Sequence, residues 1–343
     1  MPTLFADPLT VLAKSILIAA GTPDDIADCV AQSLVSANLK GVDSHGVMRL
    51  DWYLEQIRER VILPAGRPSV QMEKGSSAIL RGNGAFGIYG MRMTAELAVK
   101  KARERQISAV ALTDVGHTGR IGQFAEQIAA EGMFGLILGG GNHERWGCVA
   151  PYGGRKPLLP TNPYALALPA GKHGAVIADF ATSAVATGKL RLHRASGKPV
   201  PLGWILDRNG QPSTVAEDFF QGGMQLPAAG PKGYGLSVLA EMIGESLLGP
   251  PREFNWLVVA LDIGVFRAMG EYSQSCEAFL DELKSVPPAP GFKQVMIPGE
   301  PEAQTEWERR ERGIPIPDEV WRPVVSAART VGVDVDEILA SVH

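Results

Sequence analysis

Cysteine is scarce, and what there is forms no pattern: Cys29, Cys148 and Cys276 are three among 343 residues, widely separated and without a Cys-x-x-Cys pair. A disulfide framework and a thiolate zinc site are thereby excluded, and buried free thiols are expected. An excess of charge of one sign is lacking too. The formal charge of −4, with Lys and Arg spread along the chain, leaves no basic stripe, so neither nucleic acid nor an anionic membrane is an expected partner. No apolar run reaches membrane-spanning length, and the opening Met-Pro-Thr-Leu-Phe-Ala-Asp has neither the basic start nor the apolar core of a signal peptide. A cytoplasmic location is expected. No internal repeat is found. What remains is the composition of a globular protein, 45% apolar and 20% charged, with enough residues for two lobes. Its expected partners are small molecules or a second copy of itself.

The chain opens with helix signals. Thr22 precedes Pro23, Asp25 completes a capping-box-like pattern, and Ile26, Val30, Leu34 and Ala37 follow at helical spacing. A second helix over residues 50–58 ends before Leu63-Pro64-Ala65-Gly66, a boundary of turn residues. Beyond Pro68, strands over 77–80, 108–113 and 135–138 alternate with helices over 88–105 and 121–130, which predicts an α/β fold. Residues 139–163 form a Gly/Pro-rich segment too long for a passive connection, hence a candidate functional loop. Strands follow over 165–168 and 175–178, then a buried helix over 233–248 and an apolar strand over 256–261. A Pro-rich turn at 287–290, a charged helix over 302–312 read as a solvated face, and a last helix over 317–331 complete the chain. The expected division is a helical segment (1–66), an α/β region that binds cofactor and substrate (67–285), and C-terminal helices that pack back on the first segment (286–343).

The richest motif is residues 41–49, Gly-Val-Asp-Ser-His-Gly-Val-Met-Arg. His45 can give or take a proton near neutrality, Ser44 stands beside it, and Arg49 offers a planar fork matched to a carboxylate. Together they fit acid–base chemistry on a small organic acid. On its own, however, the run reads more simply as a helix end and a polar loop. Gly82-Asn83-Gly84-Ala85-Phe86-Gly87 fits the dinucleotide fingerprint, with Asp114 as a ribose acceptor. The strand before it is short and polar and Asp114 lies far along, so a glycine-dependent turn is the simpler reading. Gly230-Pro231-Lys232-Gly233-Tyr234-Gly235 places an ammonium at a helix start, a candidate site for a cofactor phosphate or an oxyanion. It is no Walker motif, so nucleotide hydrolysis has no support. His143, Glu144 and Cys148 match no zinc spacing, and no metal is assigned.

Five segments then occur in order. They are Ser36-Ala37-Asn38-Leu39-Lys40-Gly41-Val42-Asp43-Ser44-His45-Gly46, Gly116-His117-Thr118-Gly119-Arg120, Pro151-Tyr152-Gly153-Gly154 leading to Thr161-Asn162-Pro163, Asp179-Phe180-Ala181-Thr182-Ser183, and the Gly230 to Gly235 run. Through them the chain resembles the malate/L-lactate dehydrogenase family, which also holds ureidoglycolate and sulfolactate dehydrogenases, diketogulonate reductase and cyclic-imine reductases. The resemblance implies an α/β, non-Rossmann cofactor-binding fold, NAD or NADP as cofactor, hydride transfer on a small 2-hydroxy or 2-oxo acid, and a homodimer. It makes His45 the acid–base group, with Ser44 orienting the imidazole and Arg49 holding the substrate carboxylate. Thr161 falls at a substrate-contacting position. His117, Gly119 and Arg120 fall on a cofactor-facing loop, Asp179, Phe180 and Ala181 along the cofactor, and Lys232 at the nucleotide. His117 remains a rival to His45, because the ureidoglycolate branch takes that segment's histidine as proton acceptor.

The chain departs from the family pattern twice. Lys189 stands where the imine-reducing branch has a relay carboxylate, so a cyclic imino acid reductase is the alternative rather than the first expectation. A non-catalytic nucleotide-binding sensor is the other alternative. The loop over residues 249–255 is short where the family has a longer glycine-rich one.

Overall fold

The computed structural model describes residues 2–341. Strand β1 (Thr3–Leu4) leads into helices α1 (Ala6–Ala19), α2 (Asp24–Leu39) and α3 (Arg49–Arg58). Helix α2 begins at Asp24 without a side-chain cap from Thr22, whose hydroxyl is buried and unpartnered. Pro23 takes the N-cap position, and the first-turn carboxylates of Asp24 and Asp25 complement the helix dipole. The chain continues through β2 (Ser69–Lys74), β3 (Ser77–Arg81), α4 (Gly87–Arg105), β4 (Ile107–Thr113), α5 (Gly122–Ala130), β5 (Met133–Gly140) and the short α6 (His143–Trp146). Then come β6 (Tyr164–Pro169), β7 (Ala175–Phe180), α7 (Thr187–Ser196), β8 (Ile205–Leu206), β9 (Pro212–Ser213), α8 (Ala216–Phe220) and β10 (Met224–Gln225). Helix α9 (Pro231–Glu241), β11 (Asn255–Asp262), α10 (Met269–Ser285), α11 (Glu300–Arg312), β12 (Ile314–Pro315), α12 (Asp318–Thr330) and α13 (Val335–Ser341) complete it.

Seven strands form one sheet in the order β2-β3-β4-β11-β5-β6-β7. Only β3 and β4 run parallel; the other neighbours are antiparallel, so the sheet is not the parallel, doubly wound sheet of a Rossmann fold. Strand β11 sits between β4 and β5 and is apolar because both its faces are covered. Trp256, Val258 and Ala260 belong to the main core, while Leu257 packs with Leu138 and Tyr164 in a second cluster. The main core is continuous from α1 to α12, joining Leu12, Leu34, Tyr53, Phe86, Val110 and Val324. The chain ends meet as well, since β1 pairs with β12 through Thr3 and Pro315. Cys29 is buried, Cys148 and Cys276 are half-buried, and all three are free. No helix of the described residues is long and apolar enough to cross a membrane.

Two glycine-rich stretches resolve into packing. Gly82 and Gly87 press against the next strand end: an added Cβ would lie 2.0 Å from Val115 and 2.1 Å from the Gly116 carbonyl oxygen. Asp114 is held by Arg252 at 2.8 Å and Arg81 at 3.1 Å, so it is no free ribose acceptor. The fingerprint is a tight strand-to-helix turn, as its residues indicated. The helix expected over 233–248 stops at Glu241 and continues as a π-helical turn, Met242–Leu247. There the Gly244 backbone abuts Gly140 at the end of β5, and Asn255 Nδ2 donates to the carbonyls of Gly244 (2.8 Å) and Gly249 (2.7 Å). The first of these bonds takes a carbonyl that a regular helix would use internally.

Candidate active site

The Ser-His loop is held from both sides. Asn38, buried in the last turn of α2, accepts from the Val47 amide through Oδ1 at 2.8 Å and donates to Asp43 Oδ1 at 2.7 Å. Arg309 reaches over from α11 and grips Asp43 with both arms of its guanidinium, at 2.7 and 3.1 Å. It also donates to the Asn38 carbonyl. Gly46 must be glycine, because a Cβ there would lie 2.2 Å from Asn38 Oδ1. The result is a fixed 3₁₀ turn, Asp43–His45, that presents Ser44 and His45.

Ser44 Oγ lies 3.0 Å from His45 Nδ1. Arg49, at the start of α3, donates from Nε to the Ser44 carbonyl at 2.7 Å and lies over the Trp52 ring. His117 arrives from the loop after β4 and stacks on His45, with ring centroids 5.6 Å apart and planes 20° from parallel. Tyr53 Oη is 2.9 Å from His117 Nδ1, and the Gly119 amide donates to the same nitrogen at 3.3 Å. An amide only donates, so Nδ1 of His117 carries a lone pair and the neutral ring carries its proton on Nε2. His45 is not constrained in this way, because the Ser44 hydroxyl can either donate or accept.

The electrostatics are those of a cation-rich, half-buried site. Burial lowers the pKa of His45 to about 4, and repulsion from Arg49 and Arg120 adds to the effect. Burial likewise holds His117 well below the ordinary histidine range, followed by Arg49 and His45. Arg49 is itself disfavoured as a cation, by burial and then by Arg191 on α7, with Tyr53 acting the other way. Among the described residues no carboxylate pairs with Arg49. Burying a guanidinium without an acid partner is costly, so the site is built for an anion.

The remaining predicted residues form a connected arc beside this cluster. Buried Arg120 pairs with Glu126 at 3.1 Å and reaches Asp179 at 3.7 Å. Asp179 accepts the Gly122 amide at 2.9 Å, capping the start of α5, and its carboxyl is raised chiefly by burial, which Arg120 opposes. Phe180 is exposed and stacks on Tyr164, followed by the half-buried Ala181. The Thr161 carbonyl accepts from the amide and hydroxyl of Thr182; the Thr182 carbonyl in turn accepts from Ala228, and the Ala228 carbonyl from Gly233. That ladder ends at Lys232, exposed on the first turn of α9 and free of any ion pair among the described residues. The Gly233 and Tyr234 amides are used within the turn, so anion attraction here rests on the Lys232 ammonium and the helix dipole. No hydrogen bond or ion pair links Thr161 or Lys232 to either histidine.

Comparison with known proteins identifies the family. The malate/L-lactate dehydrogenase family model matches residues 5–324. The chain belongs to this family. It is 32% identical over 339 residues to the L-sulfolactate dehydrogenase of Methanothermobacter thermautotrophicus, covering 95% of this chain and 96% of the relative. It is 34% identical over 339 residues to an L-lactate dehydrogenase of Cupriavidus necator, covering 94% and 96%. The solved malate dehydrogenase of Pyrococcus horikoshii superposes with a TM-score of 0.87 at 30% identity, covering 97% of this chain and 96% of that one. The protein is therefore an enzyme, a dehydrogenase of this family.

Several residues of the dehydrogenase's site escaped the sequence reading. Tyr53 lies one helical turn after Arg49, a spacing that could have flagged it. Arg191 and Arg309 carried no such signal. Helix α7 lies against the Ser44–His45 loop: a Cβ on Gly188 would touch Ser44 Cβ at 3.4 Å. The next residue, Lys189, is exposed.

Proposed function

We propose that this dehydrogenase interconverts a small 2-hydroxy acid and its 2-oxo acid, with His45 moving the proton at the C2 oxygen and Arg49 holding the carboxylate. The observation that carries this reading is the half-buried, acid-free Arg49 beside a neutral, hydroxyl-bonded His45. A nicotinamide dinucleotide, NAD or NADP, supplies or takes the hydride when bound. Lys232 is the residue suited to its phosphates, with Gly119, Asp179, Phe180 and Ala181 alongside and Thr161 toward the substrate.

In oxidation, neutral His45 accepts the alcohol proton on Nε2 while Nδ1–H donates to Ser44. In reduction, the imidazolium returns that proton to the carbonyl oxygen. A carboxylate on Arg49 offsets one of the cations that depress His45, so substrate binding raises the histidine's proton affinity where reduction needs it. His117 is suited to a different task. Its Nε2–H can donate a fixed hydrogen bond to the C2 oxygen, but a second proton on Nδ1 would collide with the Gly119 amide. This favours His45 over His117 as the acid–base group.

Arg191, close enough to disfavour the charge on Arg49, supports a substrate with a second anionic group, as in malate or sulfolactate. We further propose a homodimer, because Leu239, Met242 and Leu247 leave an apolar surface exposed along α9 and the turn after it. The test is an activity matrix of NAD and NADP against malate, lactate and sulfolactate, read at the nicotinamide absorbance. His45→Ala should lose roughly 100- to 10,000-fold in kcat. Arg49→Ala should lose both binding and turnover, and Arg191→Ala should lose selectivity for dianionic acids over lactate. Full turnover in His45→Ala would end the assignment. Cofactor binding with no absorbance change across the panel would make the protein a sensor.

A further inference from the structure

We propose that His143, Glu241 and Glu245 form a binding site for one divalent transition-metal ion, of the zinc or manganese class, that clamps the long glycine-rich loop to the end of α9. His143 opens the short helix α6 in that loop, Glu241 ends α9, and Glu245 lies in the π-helical turn. One donor atom from each lies within 4.8 Å of the other two. His143 Nδ1 is 3.4 Å from Glu245 Oε2 and 3.6 Å from Glu241 Oε2. Those separations are long for hydrogen bonds, but two ligands each ~2.1 Å from a tetrahedral metal sit about 3.4 Å apart.

A second observation points the same way. The Gly141 amide holds Glu241 Oε1 at 2.9 Å, leaving Glu241 Oε2 aimed toward His143, buried and without a hydrogen-bond partner. A buried carboxylate oxygen left open is costly unless a cation takes it. One imidazole and two carboxylates suit zinc or manganese better than calcium, which prefers an all-oxygen set. Glu245 and His143 are each partly exposed, which leaves a path for the ion and room for water as a further ligand. The π-helical turn places Glu245 beside the loop, and such turns recur at functional sites. None of the three residues belongs to the catalytic cluster, so the ion would be a clamp rather than a reactant.

The test uses the full-length enzyme, stripped with chelator and desalted. Calorimetric titration with zinc chloride, and separately with manganese chloride, should show one equivalent bound to the parent by at least one of them. His143→Ala and Glu245→Gln should each bind at least tenfold more weakly, and metal should raise the melting temperature of the parent but not of the variants. Cobalt substitution gives a second readout, since its visible bands report a nitrogen and oxygen ligand set without thiolate. Both variants change partly exposed side chains, so their metal-free melting temperatures should match the parent's. Failure of both metals to bind would overturn the site, as would binding that both variants retain or cobalt bands of thiolate character pointing to Cys148.

Discussion

His45 and His117 stack on one another yet are arranged for different work. The Ser44 hydroxyl lets His45 change its protonation without losing its partner, whereas the Gly119 amide fixes His117 as an Nε2–H donor. A glutamine can replace a donor but not an acid–base group. His117→Gln should therefore keep turnover within about tenfold of the parent, while His45→Gln should lose roughly 100- to 10,000-fold, both measured as kcat at saturating substrate. A larger loss for His117→Gln than for His45→Gln would move proton transfer to His117. At this scale the site was half legible. Ser44, His45 and Arg49 fall within six positions, so the chain itself states their proximity. Tyr53 and His117 are 64 residues apart, and nothing local to either indicates that they meet.

Helix α11 read as a solvated face, and its exposed Trp307 and many charges fit that description. One of those charges nonetheless holds the Ser44–His45 loop: Arg309 clamps Asp43 across 266 residues. Arg309→Ala should therefore lower kcat by up to about 100-fold through a displaced His45, with a small change in melting temperature, while Arg309→Lys restores part of the loss. Kinetics and thermal melts on the same samples check it; a melting temperature that falls in step with kcat would indicate a purely structural role. Helices α7 and α10 were missed for a common reason. Each buries a single residue, Leu190 and Leu280 respectively, so neither carries an apolar stripe. The π-helical turn was unreadable because its cause, the contact of Gly244 with Gly140, is tertiary.

Across the molecule, the half-buried and cation-rich cluster has a pH signature. The unfolded chain protonates His45 near its ordinary value of 6.5, but the folded protein does so only near 4. Between those values the unfolded state binds more protons, so stability is full above about pH 6.5 and falls as pH drops toward 4. The slope from one such histidine approaches about 1.4 kcal/mol per pH unit. Urea unfolding of the parent and of His45→Gln over this range should show a shallower acid limb in the variant. Identical limbs would mean that His45 is not buried as a neutral ring. The sheet order is likewise a property of the whole: β11, read correctly as an apolar strand, inserts between β4 and β5 and makes the sheet mostly antiparallel.

What the sequence by itself determined is what depends on neighbours along the chain. Helix and strand periodicity, the turn glycines, and the Ser44–His45–Arg49 run are local, as are the segments that mark the family. Tertiary structure alone decided the strand order, the tautomer of His117, the depressed basicity of both histidines and the Arg309 clamp. It also brought His143 to two glutamates about a hundred residues downstream. Burial and electrostatic coupling depend on distance through space, and chain separation does not encode that distance until the core has closed around them.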